Sequence, residues 1–230
     1  MPEFWIFLSS GLFLGWSLGA NDGSNVFGTA VGTRMVKFRT AAVISSVFVI
    51  IGAVFAGSGA AETLNELGSV NAPAGAFMVG LAAALSVYWM NKSRISVSTS
   101  QAIVGAIVGW NVYSGRPTDI SLFSAIAGTW VLCPVLSGLL AVAVYQLARS
   151  IIIRAKVSLL RQDLYTRAGL VLAGAFGAYA LGANNIANVM GVFIPSNRLQ
   201  PLTFPGGYTL SSEQVLFLLG AVAIAVGIAT

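Results

Sequence analysis

The sequence predicts an all-α integral membrane protein: a multi-span helical bundle with inverted repeats and broken helices. Three observations carry this. Only 8% of the 230 residues are charged while 57% are hydrophobic, and the mean hydropathy is +0.85; a soluble domain runs near 25% charged. Apolar runs of about 18 residues or more, the length that crosses a bilayer, recur along the chain. A polar eleven-residue motif occurs twice, 163 residues apart. A disordered chain, a secreted disulfide scaffold and an ordinary cytosolic enzyme are excluded, because too few polar residues exist to cover a water-exposed surface.

The elements follow in order. The first apolar run covers 4–20 and resumes after a polar break through 24–33. Further runs cover 41–57, 74–91, 95–113, 120–148 and 168–183, the last continuing past a second polar break to about 195. A final run begins near 214 and reaches Thr230. Glu3 and the absence of a basic segment argue against a cleaved leader at the N-terminus. Arg34, Lys37 and Arg39 follow the first run, Lys92 and Arg94 the third, and Arg149, Arg154, Lys156, Arg161 and Arg167 the fifth, whereas 58–73 holds Glu62 and Glu66. Positive charge gathers on the cytoplasmic side, so a cell-membrane protein with its N-terminus outside is expected, Arg116 and Arg198 being the exceptions. The net charge of +5 then reflects topology and not nucleic-acid binding. The expected organisation is a first transmembrane repeat of about five spans over 1–148, a basic cytoplasmic loop over 149–167, and the start of a second, inverted repeat over 168–230.

Cys133, the single cysteine, is expected to be a small buried side chain beside Pro134. The chain has no histidine, which removes the commonest transition-metal ligand and proton carrier.

The repeated motif carries the chemistry. Leu18–Gly28 reads LGANDGSNVFG and Leu181–Gly191 reads LGANNIANVMG, identical at seven of eleven positions. Five spans precede the second copy, an odd number, so it enters the membrane from the opposite side to the first, the pattern of an inverted-repeat secondary transporter. Spacings of three and four place Asn21, Asp22 and Asn25 on one helix face, and Asn184, Asn185 and Asn188 likewise. A carboxylate inside a span costs roughly 2.5–3.5 kcal/mol and needs a partner or a wet site. Carboxylate and amide oxygens are hard ligands that suit Na⁺. Gly19, Gly23 and Gly182 are expected to let the helices open around them. The competing reading is interhelical glue, with Gly28/Gly32 and Gly105/Gly109 as close helix contacts. A second motif, Ser96-Val97-Ser98-Thr99-Ser100-Gln101, gathers hydroxyls at a helix start, where they cap free N–H groups and can cradle an oxyanion.

Together GANDGSNVFGTAVG, GANNIANVMG and SVSTSQAIVGAIVG resemble the inorganic phosphate transporter (PiT) family, from the first span to about Gly191. The resemblance implies Na⁺- or H⁺-coupled uptake of inorganic phosphate by alternating access, or of sulfate or another oxyanion. It implies cation binding by Asn21, Asp22, Asn25, Asn184, Asn185 and Asn188, and anion binding by Ser98, Thr99, Ser100 and Gln101. No catalytic residue, cofactor or resident metal is expected beyond the coupling ion. Partners are the oxyanion and the lipid bilayer, with a homodimer left open. Asn185 stands where the family often has Asp, and Gln101 where many members have His. A second Ser/Thr motif, placed by the first-half spacing, would fall near residue 261 and past Thr230, so the sequence is expected to be a C-terminally incomplete member, and a non-transporting truncated protein is the alternative. A channel needs no duplicated cation motif. An enzyme needs a nucleophile and base, which one intramembrane acid, Asp22, does not supply. A sensor would bind without flux.

Overall fold

The computed structural model describes residues 2–67, 70, 72–155 and 158–230; Lys156 lies outside them. The described chain is an all-α membrane protein of eight helices: α1 (Pro2–Gly32), α2 (Phe38–Ala56), α3 (Ser58–Leu67), α4 (Pro73–Lys92), α5 (Thr99–Ser114), α6 (Ile120–Ala155), α7 (Leu159–Met190) and α8 (Ser212–Ala229). Five of these helices, α2, α4, α6, α7 and α8, are long and apolar enough to cross a membrane. A 3₁₀ turn, Gly191–Ser196, and a small hairpin, β1 (Leu202–Thr203) against β2 (Thr209–Leu210), join α7 to α8.

Local sequence sets the ends. Pro73 opens α4, where a missing N–H costs nothing. Ser98 caps α5 by accepting from the Gln101 N–H. Ser211 and Gln214 form a reciprocal capping box on α8. Gly206 and Gly207 turn the hairpin with φ of 116° and 86°, backbone that favours glycine.

The packing centre is two helix crossings built alike. At the first, Gly19 of α1 lies against the Ile224 carbonyl of α8, and Gly227 of α8 against the Trp16 carbonyl and Ala20 nitrogen of α1. At the second, Gly182 of α7 lies against the Val49 carbonyl of α2, and Gly52 of α2 against the Tyr179 carbonyl and Ala183 nitrogen of α7. Trp16, Gly19 and Ala20 precede Tyr179, Gly182 and Ala183 by 163 residues, and Val49 and Gly52 precede Ile224 and Gly227 by 175. Side chains at any of these glycines would overlap backbone, so the crossings require them. Gly15 and Gly19 meet Gly220 and Ile224 in the same order, so α1 and α8 run parallel. Phe27 instead meets Gly174 while Gly15 meets Val189, so α1 and α7 run antiparallel.

Several expectations need correction. The helix breaks lie elsewhere than at the motifs: α1 and α7 continue through both polar stretches, and the chain breaks at Gly57, between α2 and α3, and at Gly191. Gly19 and Gly182 serve close approach, not opening. Gly32, Gly105 and Gly109 have no close neighbour, so the expected Gly28/Gly32 and Gly105/Gly109 contacts do not form. The 58–73 segment contains a helix, α3, too polar to read as a span. The 149–167 segment is helical at 149–155 and 159–167. With 36 and 32 residues, α6 and α7 extend about 54 and 48 Å, well past a hydrocarbon core of about 30 Å, so their basic ends stay helical beyond it. Cys133 is exposed on α6, because that helix makes few contacts and a thiol is at home against lipid as well as in a core.

Candidate ion-binding site

Amide and hydroxyl groups converge on the start of α5. On α1, helical spacing sets Asn25 one turn beyond Asp22, and the Asn25 Nδ2 donates to Asp22 Oδ1 at 3.2 Å. Asn21 Nδ2 donates to the same oxygen at 2.9 Å and to the Val97 carbonyl at 2.7 Å. Asn21 is 7% exposed. Val97 immediately precedes the cap of α5, so the first motif is tied to the chain entering that helix.

α7 repeats the arrangement. Asn188 Nδ2 donates to Asn185 Oδ1 at 3.0 Å, the same bond as Asn25 to Asp22 but 163 residues later. Asn188, 5% exposed, also donates to Ser100 Oγ at 2.8 Å. Asn185 Nδ2 turns back to the Leu181 carbonyl at 3.1 Å. The first turn of α5 is therefore bracketed, by α1 through Val97 and by α7 through Ser100.

Two cavities open beside this bracket. One of about 560 Å³ lies between α1 and α7 and is lined by Asn25, Thr29, Asn184 and Asn185 among glycine and apolar residues. The other, about 500 Å³, is lined by Ser98, Ser100, Asn184 and Asn188, with Thr63 of α3 and Thr129 and Trp130 of α6. Asn184 lines both. Ser100 accepts from Asn188, which leaves its O–H free to donate. The Thr99 hydroxyl, 2% exposed, has no hydrogen-bond partner.

Charge defines what such a site can hold. Asp22 accepts from two amides, Asn21 and Asn25, and no ion pair to it is seen among the described residues; the Arg167–Asp163 pair at 2.7 Å is exposed and elsewhere. A carboxylate at membrane depth without a cationic partner is completed by a bound cation or a proton. The oxygens around it are hard donors suited to Na⁺. Among the described residues no group of three or more His, Cys, Asp or Glu is placed to hold a metal ion. The second cavity instead presents hydroxyl and amide donors near the N-terminus of α5, the chemistry of an oxyanion subsite.

Eight of the ten sequence-predicted residues gather here: Asn21, Asp22, Asn25, Asn184, Asn185, Asn188, Ser98 and Ser100. Thr99 is packed behind them. Gln101 departs, because its backbone serves the Ser98 cap while its side chain lines an apolar groove between α4 and α5 with Met78, Gly105 and Trp110. Sequence reasoning missed Thr63, Thr129 and Trp130. Isolated polar or aromatic residues in apolar runs carry no spacing signal, and only the approach of α3 and α6 makes them neighbours of the motifs.

Helices long and apolar enough to cross a membrane, arranged around a polar, cavity-bearing centre, define an integral membrane protein with a polar site among its spans. A model of the phosphate transporter family matches residues 18–165, and the chain belongs to that family. It is 26% identical over 215 residues to a phosphate-permease homologue of Methanocaldococcus jannaschii, covering 94% of this chain and 62% of that one. It is 31% identical over 150 residues to the chloroplastic inorganic phosphate transporter 2-1 of Arabidopsis thaliana, covering 60% of this chain and 26% of the plant protein. The chain thus spans less than two thirds of either relative's length. Among solved structures, a sodium-dependent phosphate transporter matches with a TM-score of 0.77 and 21% identity, over 99% of this chain and 75% of that one, a likeness of fold.

Proposed function

We propose that the chain carries the ion-binding centre of a sodium-coupled importer of inorganic phosphate that works by alternating access. The supporting observation is Asn184, which lines both the cavity holding Asn25 and Asn185 and the cavity holding Ser98, Ser100 and Asn188. Cation bound beside Asp22 and the asparagine oxygens offsets the anion's charge, and the hydroxyls and helix start supply its hydrogen bonds. An oxyanion cannot enter an apolar interior without such partners. The loaded centre is close to neutral, which couples the anion to the cation gradient.

The proposed architecture is two inverted repeats, 1–148 and 168–230, with the N-terminus outside and the 149–167 segment cytoplasmic. Its support is the pair of like crossings, α1 on α8 and α7 on α2, together with the antiparallel run of α1 against α7. Motion of one unit against the other then opens the centre to each side in turn. Radiolabelled phosphate uptake into proteoliposomes, with and without a sodium gradient and against excess sulfate, tests the reading. Sodium-driven, saturable uptake is expected, with sulfate a poor competitor. Sodium-independent flux would remove the coupling role, and full competition by sulfate would broaden the substrate to oxyanions.

A further inference from the structure

α1 and α4 run side by side in the same direction. Phe77 pairs with Phe7, Gly80 lies against Ser10 and Gly11, and the Tyr88 ring sits 5.7 Å from Phe13 and 6.1 Å from Trp16. The last turn of α4 therefore ends beside the middle of α1, where a cavity of about 290 Å³ is lined by Trp16, Ser17, Ala20, Tyr88, Asn91 and Lys92. Ser17 precedes Asn21 by four residues, one helical turn or about 6 Å. Asn21 in turn donates to the Val97 carbonyl, on the segment that leads from α4 into α5. The cavity thus lies at membrane depth about one turn from the ion centre, and it shares no lining residue with the two cavities there.

Its polar groups are donors without protein partners. Ser17 is 1% exposed and its hydroxyl makes no hydrogen bond. Burying such a group unsatisfied is unfavourable, and a ligand reaching it removes that penalty. Lys92 Nζ lies over the Tyr88 ring, 5.7 Å from its centroid, and no ion pair to it is seen among the described residues. The half-buried Asn91 amide adds two N–H donors. No acidic side chain lines the cavity. A metal cation is repelled by the ammonium, and an apolar ligand leaves every donor unpaired. Water satisfies the hydroxyl but carries no charge to offset Lys92. Ammonium, amide and hydroxyl donors around one space select an anion with several acceptor oxygens.

We infer that this cavity is a second oxyanion site, a waiting position one turn from the ion centre. Lys92 and Asn91 take the oxygens of inorganic phosphate, Ser17 closes a third side, and the Trp16 and Tyr88 rings are its walls. Those walls are fixed: the Phe13 and Trp16 rings stack with centroids 6.0 Å apart, and Trp16 Nε1 donates to the Thr230 hydroxyl at 3.2 Å. The identity of the anion rests on the reading of the chain as a phosphate importer; the donor set does not. The ion centre needs a cation beside Asp22 before it holds an anion, whereas this cavity carries its own positive charge. Phosphate therefore binds here without sodium and stays close until the centre is loaded.

Equilibrium binding of radiolabelled phosphate to the full 230-residue chain, in nanodiscs of phosphatidylcholine, a lipid without net charge, tests it. Two phosphates per chain are expected with sodium present; with choline in its place, or in Asp22→Asn, one remains. Lys92→Gln should weaken that sodium-independent binding about tenfold and Ser17→Ala about fivefold, for the loss of a charged and a neutral hydrogen bond. Lys37→Gln, at an exposed position before α2, should leave it unchanged. Ser17→Ala should also keep its unfolding temperature in phosphate-free buffer, because the hydroxyl it loses has no protein partner. A sodium-independent site without a sodium-dependent one would sustain this inference and overturn the cation coupling of the ion centre. Absence of sodium-independent binding, or equal losses in Lys92→Gln and Lys37→Gln, would overturn the second site.

Discussion

The two copies of the Gly-Ala-Asn motif share a scaffold and differ in what surrounds it. In both, the third polar residue donates to the second, Asn25 to Asp22 and Asn188 to Asn185, and in both a glycine packs on a partner helix's carbonyl. Their partners then diverge. In the first copy Asn21 is buried against Val97 while Asn25 is exposed to a cavity; in the second Asn188 is buried against Ser100 while Asn184 is exposed to two. The cause is α5, whose start lies between the copies and meets each at a different position. The repeated motif therefore supplies the helix crossing and the amide ladder, whereas the start of α5 separates a carboxylate side from a hydroxyl side.

The sharpest way to break this division is Asp22→Asn, which makes the first copy's charge match the second's. Sodium-dependent phosphate uptake should fall about 100-fold or more, equivalent to about 2.8 kcal/mol at 1.4 kcal/mol per decade. Asn185→Asp in the same background restores one carboxylate across the shared cavity. Partial recovery of sodium dependence would show that the copies contribute to one centre, and none would show that they act apart.

The likeness of the crossings is tested next. Gly19→Ala and Gly182→Ala each drive a methyl into a facing carbonyl, of Ile224 and Val49 respectively. Each should destabilise the purified protein by about 1–3 kcal/mol in thermal unfolding, and by similar amounts. A large loss at one site alone would end the claim that the crossings are equivalent. Gly105→Ala, with open space around it, serves as the control and should change little.

Smaller effects separate the two asparagines. Asn188→Ala removes half-buried bonds to Ser100 and Asn185 and should cost about 1–2 kcal/mol of stability, against a few tenths for Asn25→Ala, whose amide is exposed. Equal losses would mean that α5 does not distinguish the copies. The smallest expected change is Ser98→Ala, about 1 kcal/mol for a lost helix cap, accompanied by weaker phosphate binding measured by isothermal titration if the hydroxyl also faces the anion.

Much of this arrangement was legible before any coordinates. Long apolar runs, sparse charge and the duplicated motif follow from one-dimensional pattern, and bilayer length is a threshold that sequence registers directly. Asp22 and Asn25 were placed together by helical spacing alone, and the hydrogen bond between them is local. Sequence misjudged what depends on neighbours. Gly19 and Gly182 read as hinges beside polar residues, but their lack of a side chain serves contact with helices far away in sequence. α3 was missed because a short amphipathic segment with Glu62 and Glu66 has the composition of a loop. Gln101 belonged to the motif by position, yet its side chain turns toward α4.

The amino-acid order by itself determined that this chain is a helical membrane protein, which helices carry oxygen-rich faces, and that one such face occurs twice. Those properties depend on hydropathy and on residues three or four apart, both local quantities. Only the tertiary structure decided that the faces meet across antiparallel α1 and α7, that α5 stands between them, and that Asn184 borders two cavities at once. Contacts between distant segments arise from the shapes of packed helices, and no local spacing encodes them.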